Sequence, residues 1–293
     1  MASVLIVNPR ASKVSEDLVA RVVWELPDGV VVLRTEGPGE ATELAHAHES
    51  SADAIFVLGG DGTYNEVLNG IGGPVPLGFL PGGGTSVLPR ALGLGRDPVA
   101  AARIAAAGVE RPIGLGRVNG RRFSFNAGVG VDAELVRRVD ARGRDAGGAR
   151  PGDAAFVGEA LRLLLAHRGR FPEALEIDGV GRAAFALVAN CYPYTYAGRM
   201  AVRVAREASF DAGLDLVAPV SVRPAGVPRL LLELRRGAAP RPGLTVLHDL
   251  DRIELRCDRP MPLQVDGEDL GDVEHVVFES EPEAVIALVP DGR

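Results

Sequence analysis

The sequence predicts an α/β protein in two parts: an N-terminal Rossmann-like domain with a parallel sheet, then a β-rich domain folded as an antiparallel sandwich. Three observations carry this. Up to about residue 110, short apolar runs alternate with segments of helical periodicity. Two glycine clusters, Gly59-Gly60-Asp61-Gly62 and Pro81-Gly82-Gly83-Gly84, each stand between a strand pattern and a helix pattern. From Glu173 onward the chain reads as many short strands interrupted by one helix. Alternating strands and helices need right-handed crossovers and give a parallel sheet. Runs of short strands pair antiparallel.

In order, Val4 to Val7 reads as a strand and Asn8 to Lys13 as the turn after it, with Pro9 fixing the exit direction. Val14 to Leu26 is a helical pattern, Val30 to Leu33 a strand ending at Thr35, and Glu40 to Glu49 a second helix. His46 and His48 on that helix are two apart, so they face different directions and cannot share a metal. The run Ala54 to Leu58 enters the first glycine cluster, and Val67, Leu68 and Ile71 mark the helix beyond it. Val75 to Leu80 feeds the second cluster, and a helix follows over Asp97 to Ala107.

Glycines at 59, 60 and 62 permit positive φ and let a ligand approach the backbone without a Cβ in the way. Amides at the start of the next helix then face outward, where a phosphate can accept from them. Asp61 is the odd member, since a carboxylate repels phosphates. It implies a bridging metal or a hydrogen bond to ribose or loop amides. Because open α/β sheets bind ligands at their strand ends, the crevice collects Asn8, Thr35 and Gly59 to Thr63. Ordinary turn chemistry is the alternative account of Asn8 and Ser12.

Beyond residue 107 the texture changes. Pro112 to Val118 and Arg121 to Val131 read as two strands joined by Asn119-Gly120, a hairpin signal. The domain boundary falls near 110, giving domains of 1–110 and 111–280, with a strand in 281–293 returning toward the first. Asp140 to Asp153 is rich in Arg, Gly and Asp and reads as mobile. Ala154 to His167 is an amphipathic helix whose Phe156, Leu161, Leu164 and Leu165 either pack on a sheet or join the loop before it as a lid over a lipid tail. Strands are expected at 173–178, 182–190, 200–205, 214–220, 244–249, 252–257, 262–266, 274–279 and 284–289. The helix from about Ala225 to Arg236 sets Arg223, Arg229, Arg235 and Arg236 around Leu230-Leu231-Leu232. Either the leucines are core and the arginines solvated, or the segment touches a membrane.

The 293 residues carry a net charge of −7, with 46% hydrophobic and 24% charged residues. This argues against a nucleic-acid binder and against bulk adhesion to anionic lipid, while leaving room for local basic patches. Cys191 and Cys257 make no disulfide framework and no metal spacing, and read as buried thiols in a reducing compartment. No apolar run approaches the roughly 18 residues of a spanning helix, so a soluble, cytoplasmic protein is expected.

Gly59-Gly60-Asp61-Gly62-Thr63 resembles the nucleotide-binding signature of the diacylglycerol kinase catalytic domain family, which includes sphingosine kinases, bacterial soluble lipid kinases and, more distantly, NAD kinases. The resemblance runs from Asn8-Pro9 to the last strand. It implies that Asn8, Pro9, Arg10, Ala11 and Ser12 help hold ATP, with Asn65, Glu66, Gly84 and Thr85 also at the nucleotide. Ser86 stands where one bacterial branch has asparagine. Phe123 to Ala133 is similar to the family's Asn-x-Gly-x-Gly-x-Asp-Ala segment, which puts Asn126 and Asp132 near the cleft between domains, unless they are structural. Ala208 to Val217 resembles the segment carrying a structural Mg2+. By aspartate spacing that implies Asp211 as ligand, the carbonyls of Ala208 and Gly213 beside it, and Asp215 in support. The glycine is one place late, and a turn capped by Asp211 explains these residues as well.

Met261 to Glu268 alternates and ends in two carboxylates around a glycine, a pattern that a surface hairpin turn also satisfies. The resemblance makes it the family's Asp-Gly-Glu, with Asp266 the catalytic base and Glu268 the second choice. It implies an ATP- and Mg2+-dependent kinase of diacylglycerol or a similar lipid alcohol, whose hydroxyl would meet Asp266 at the inner membrane face. The alternatives are an NAD kinase-like or soluble-alcohol kinase, and a non-catalytic nucleotide-binding regulator. A homodimer through open edge strands is left open.

Overall fold

The computed structural model describes residues 2–143, 153–197 and 200–291. They form two compact units, one of residues 2–114 with 283–291, the other of residues 115–143, 153–197 and 200–282.

The first unit alternates strand and helix: β1 (Val4–Val7), α1 (Glu16–Glu25), β2 (Val31–Arg34), α2 (Glu40–His48), β3 (Ile55–Gly59), α3 (Asp61–Gly70), β4 (Pro76–Pro81), α4 (Val87–Ala91) and α5 (Pro98–Ala106). The parallel order is β2-β1-β3-β4. Val4 to Val7 and Ile55 to Gly59 are buried throughout, as central strands covered on both faces must be. Helix starts follow local chemistry. Ser15 Oγ accepts from the Leu18 amide at 3.2 Å, and Asp97 Oδ1 accepts from Val99 and Ala100 at 2.9 and 3.0 Å. Tyr64, wholly buried, packs edge-on against Phe79 with ring centroids 5.4 Å apart.

The second unit holds β5 (Val109–Val118, which enters it from the first), β6 (Arg121–Phe123), β7 (Asn126–Val129), α6 (Val131–Asp140), α7 (Asp153–Ala166), β8 (Leu175–Ile177), β9 (Gly181–Ala183), β10 (Ala186–Ala189), β11 (Thr195–Ala197), β12 (Met200–Val202), β13 (Leu214–Pro219), α8 (Val227–Arg236), β14 (Leu244–Leu250), β15 (Arg252–Val265) and β16 (Glu268–Val289). Strands β14-β13-β10-β7-β15-β16 hydrogen-bond in that order and pair antiparallel. The sandwich is therefore one sheet folded over its core, not two separate sheets. Ala127, Val188 and Leu216 from one flank meet Ile177, Leu255 and Phe278 from the other in a single cluster. The opposite face of β10 and β13 carries Leu187, Ala189 and Val217. They pack with Phe171 and Leu230, and with Leu164 of α7 and Val227 and Leu234 of α8 at the edge. β16 runs on into the first unit, where Ile286 and Ala287 pair in parallel with Pro76 and Leu77 of β4.

Several expectations are corrected. Residues 252–257 and 262–266 are one strand, as are 274–279 and 284–289, because register shifts between Arg256 and Met261 and between Pro262 and Gln264 absorb the breaks in alternation. Val131–Asp140 is a helix where strand was expected to end. Leu161 and Leu165 of α7 are exposed, so they are not core, whereas Leu163 is buried. On α8, Leu230 is buried and Leu231 and Leu232 are exposed. Cys191 is buried, but Cys257 is only half-buried, and that burial pushes its thiol up to about 11. The expected mobile loop falls mostly on 144–152, outside the described residues.

Candidate active site

In the first unit the strand ends converge on two loops that touch through glycine. A Cβ on Gly83 would lie 2.8 Å from the Gly60 Cα, and one on Gly59 would meet the Thr63 side chain at 2.7 Å. None of the six loop glycines takes positive φ, contrary to expectation. At Gly59, Gly82 and Gly83 the neighbouring atoms are too close for a side chain, so glycine there answers crowding and not a left-handed turn. The left-handed residue is Ser86, at φ 49°, a conformation asparagine adopts more readily than serine.

Short bonds bind the loops together. The Gly82 amide donates to the Gly59 carbonyl at 2.7 Å, and the Tyr64 hydroxyl lies 2.8 and 2.7 Å from the carbonyls of Gly59 and Leu80. Asn8 Nδ2 donates to Thr63 Oγ1 at 2.9 Å, and Asn8 Oδ1 accepts from the Arg10 amide at 3.0 Å. Asp61 Oδ1 accepts from the Val87 and Leu88 amides at 2.7 and 3.4 Å, which selects the loop-amide role among those weighed for it. Asp61 thereby closes the N-terminus of α4, whereas α3 starts at Gly60 with no side-chain cap. The α3 amides keep the electropositive end that suits a phosphate.

Thr35 donates its amide to the Val7 carbonyl at 2.9 Å, beside Asn8. Gly84 faces open space, and the Thr85 carbonyl accepts from Arg90 Nη1 at 3.4 Å. Pro9 and Arg10 are exposed at the loop surface, with Ala11 half-buried and Ser12 exposed. Asn65 and Glu66 turn elsewhere. Asn65 is buried and accepts from Asn69 Nδ2 at 3.2 Å, while Glu66 Oε2 accepts from the Ala41 amide at 3.3 Å at the start of α2. Sequence reasoning missed a basic group. Lys13 donates its amide to the Gly82 carbonyl at 3.0 Å, and partial burial together with the charges of Arg96 and Arg90 lowers its ammonium pKa.

The second unit brings together a buried polar network. Asp266 and Gly267, at φ 48° and 80°, form the two-residue turn between β15 and β16, where Val265 pairs with Glu268. The hairpin reading is thus correct, yet Asp266 is only 4% exposed. Its Oδ2 accepts from the Ser124 amide at 2.8 Å and the Ser124 hydroxyl at 3.0 Å, and its Oδ1 from the amides of Phe125 and Asn126 at 2.9 and 3.2 Å. Behind it, Gln264 Nε2 donates to Asn126 Oδ1 at 2.9 Å and to Asp132 Oδ2 at 2.6 Å, and the Tyr194 hydroxyl donates to Asp132 Oδ2 at 2.8 Å. Burial raises the Asp132 carboxyl, while the bonds from Tyr194 and Gln264 pull it down. Asn126 and Asp132 are therefore joined within this unit. Glu268 is half-exposed and ion-paired with Arg121 at 2.7 Å.

The residues expected at Mg2+ differ in their surroundings. Asp211 is exposed in a turn folded on Ser209, whose Oγ accepts from its amide at 3.2 Å. Asp215 is buried with His248 Nδ1 at 2.9 Å from Oδ2 and accepts from the Asp249 amide at 3.2 Å on Oδ1. The Gly213 amide donates to Asp249 at 2.7 Å, and Ala208 is a core residue. Among the described residues no three His, Cys, Asp or Glu side chains are grouped to hold a metal.

Residues 2–118 match the diacylglycerol kinase catalytic domain. The match covers fewer than half of the 293 residues, and over that part the sequence is similar to this family. The diacylglycerol kinase of Bacillus subtilis strain 168 is 34% identical over 148 residues, 47% of this chain and 48% of that protein. Its counterpart in Staphylococcus epidermidis strain ATCC 12228 is 35% identical over 133 residues, 41% and 40% of the two chains. The chain thus matches about half or less of the length of these relatives.

A crystal structure of a Bacillus anthracis diacylglycerol kinase superposes with a TM-score of 0.72 at 18% identity, over 99% of this chain and 97% of that one. An Archaeoglobus fulgidus NAD kinase in complex with ATP gives 0.52 at 14%, over 99% and 94%. These likenesses are of fold. The diacylglycerol kinase match contains both glycine loops and stops short of Asp266.

Proposed function

We propose that the protein is an ATP-dependent lipid kinase that transfers the γ-phosphate to the hydroxyl of diacylglycerol or a related lipid alcohol. The observation that carries this reading is the pair of glycine loops packed backbone to backbone before the uncapped start of α3. Loops so close leave amides, not side chains, to face a phosphate. Lys13, Arg90 and Arg96 supply positive charge beside them. The magnesium that phosphoryl transfer requires would arrive with the nucleotide and would supply positive charge to offset that of its phosphates.

The acceptor hydroxyl would lose its proton to Asp266 as its oxygen attacks the γ-phosphorus and the bond to the β-phosphate oxygen breaks, releasing ADP. Of the four donors on Asp266, three are backbone amides and fixed. The fourth, the Ser124 hydroxyl, is on a side chain that can rotate. Ser124 therefore occupies the position an alcohol substrate would take on Oδ2. Glu268 is the second candidate for the base. The site would work with peripheral association at a cytoplasmic membrane face, and no helix among the described residues is long and apolar enough to cross a membrane.

The test is transfer of labelled γ-phosphate from ATP to a panel of lipid alcohols, soluble alcohols and NAD, with wild type and Asp266→Asn. Product on a lipid that falls in the variant supports the reading. Product on NAD alone would instead support an NAD kinase. ATP binding with no transfer to any acceptor would point to a nucleotide-binding regulator.

A further inference from the structure

We infer that α7 and α8 form the face by which this protein docks on an anionic lipid bilayer. The two helices lie over the same side of the second unit's sheet. Leu164 of α7 and Val227 and Leu234 of α8 pack on one cluster, and Gly169, just past α7, lies against Pro224 and Val227. Beside these contacts both helices leave apolar side chains in solvent. On α7 they are Val157, Leu161 and Leu165, spaced four apart in one stripe and 68%, 57% and 68% exposed. On α8 they are Leu231 and Leu232, 52% and 43% exposed.

Charge identifies the occupant. Arg168 and Arg170 follow α7, Arg223 precedes α8, and Arg235 and Arg236 end it; all five are exposed and make no ion pair with a described residue. Among the described side chains of the two helices, the carboxylates are turned inward or occupied. Glu159 is buried with Arg162 at 2.5 Å, and Glu233 is held by Arg229 and Arg241, each at 2.8 Å. A chain of net charge −7 thus keeps one face both apolar and basic. Exposed leucines ringed by arginines suit the acyl boundary and phosphates of an anionic leaflet. An acidic protein partner would not call for an apolar stripe three residues long on one helix and a leucine pair on the next. The inference takes its purpose from the lipid-kinase reading, but its test does not depend on transfer.

Full-length protein is sedimented with vesicles of phosphatidylcholine alone and with vesicles also containing phosphatidylglycerol, across a salt series. Wild type should bind the anionic vesicles, more weakly as salt rises, and the neutral ones little. Reversing Arg235 and Arg236 together (Arg235→Glu, Arg236→Glu) should lower the partition about 25-fold or more, about fivefold per arginine. The pair Leu231→Ser and Leu232→Ser should lower binding at every salt concentration, and both variants should keep the wild-type melting temperature. Equal binding to neutral vesicles, no binding by wild type, or unchanged binding by both variants would overturn the inference. So would light scattering that shows a wild-type dimer dissociated by the leucine substitutions, since the face would then bind a second copy. Transfer to a short-chain, water-dispersed acceptor reports the kinase reading separately. Its absence with vesicle binding intact sinks that reading and leaves the docking face standing.

Discussion

The glycine loops of the first unit are held by backbone, whereas the Asp266 network of the second is held by side chains. A methyl group on Gly83 has no room beside the Gly60 Cα, nor one on Gly59 beside Thr63, and the loops are joined by a backbone bond and by Tyr64 on two carbonyls. Around Asp266, a carboxylate collects three amides and a hydroxyl, and Gln264, Asn126, Asp132 and Tyr194 stand behind it. A backbone site fails by crowding. A side-chain site fails by leaving buried donors unpaired.

The largest expected effect separates these failures at Asp266. Asp266→Ala strands four buried donors and should cost about 3 kcal/mol or more of stability in chemical denaturation. Asp266→Asn keeps an acceptor oxygen and should lose less stability, yet turnover should fall by about two to four orders of magnitude if this carboxylate is the base. An Asn variant as active as wild type would reduce Asp266 to a structural clamp. Ser124→Ala should change turnover less than about tenfold, because it vacates only the position proposed for the substrate hydroxyl.

Next comes crowding. Gly83→Ala puts a Cβ 2.8 Å from the Gly60 Cα and should spread the loops at a cost of about 1–3 kcal/mol, read as weaker ATP binding by calorimetry. Gly84→Ala meets nothing within 4 Å and should leave stability unchanged. If it nonetheless abolishes ATP binding, the phosphates lie against residue 84 itself.

A pH series gives a smaller signal. The Asp132 carboxyl is raised by burial, so folding favours its protonated form. That contribution is complete below the ordinary aspartate value of about 4 and is lost as pH rises through the folded value. Asp132→Asn should therefore flatten the decline in stability above about pH 4, measured as unfolding midpoints. Smallest is Arg121→Ala, which removes a half-exposed pair with Glu268 and should cost about 1 kcal/mol or less.

The same contrast explains what could be read in advance. Strand, glycine cluster and helix are consecutive in the first unit, so local pattern and tertiary structure agree there. Asp61 was legible as an anomaly, but its partners Val87 and Leu88 lie 26 and 27 residues away. In the second unit the decisive neighbours are farther still. Asp266 and Ser124 are 142 residues apart, and Asp215 meets His248 at a separation of 33, which no spacing rule foretells. Gln264 offered one signal, an amide in an otherwise apolar stretch of strand. Val131–Asp140 was missed because its charged residues, Asp132, Glu134, Arg137, Arg138 and Asp140, outnumber its buried ones, Ala133, Val136 and Val139.

The closing strand also bears on biosynthesis. Ile286 and Ala287 pair with β4, which is otherwise joined only to β3, yet they leave the ribosome after all of the second unit. The parallel sheet of the first unit must wait, with β4 as a bare edge, until translation has passed residue 287. A fragment cut at residue 118 would keep that edge permanently and should aggregate through it. An ATP-binding fragment of this chain would therefore have to be made as two pieces, 1–114 and the last strand, supplied together.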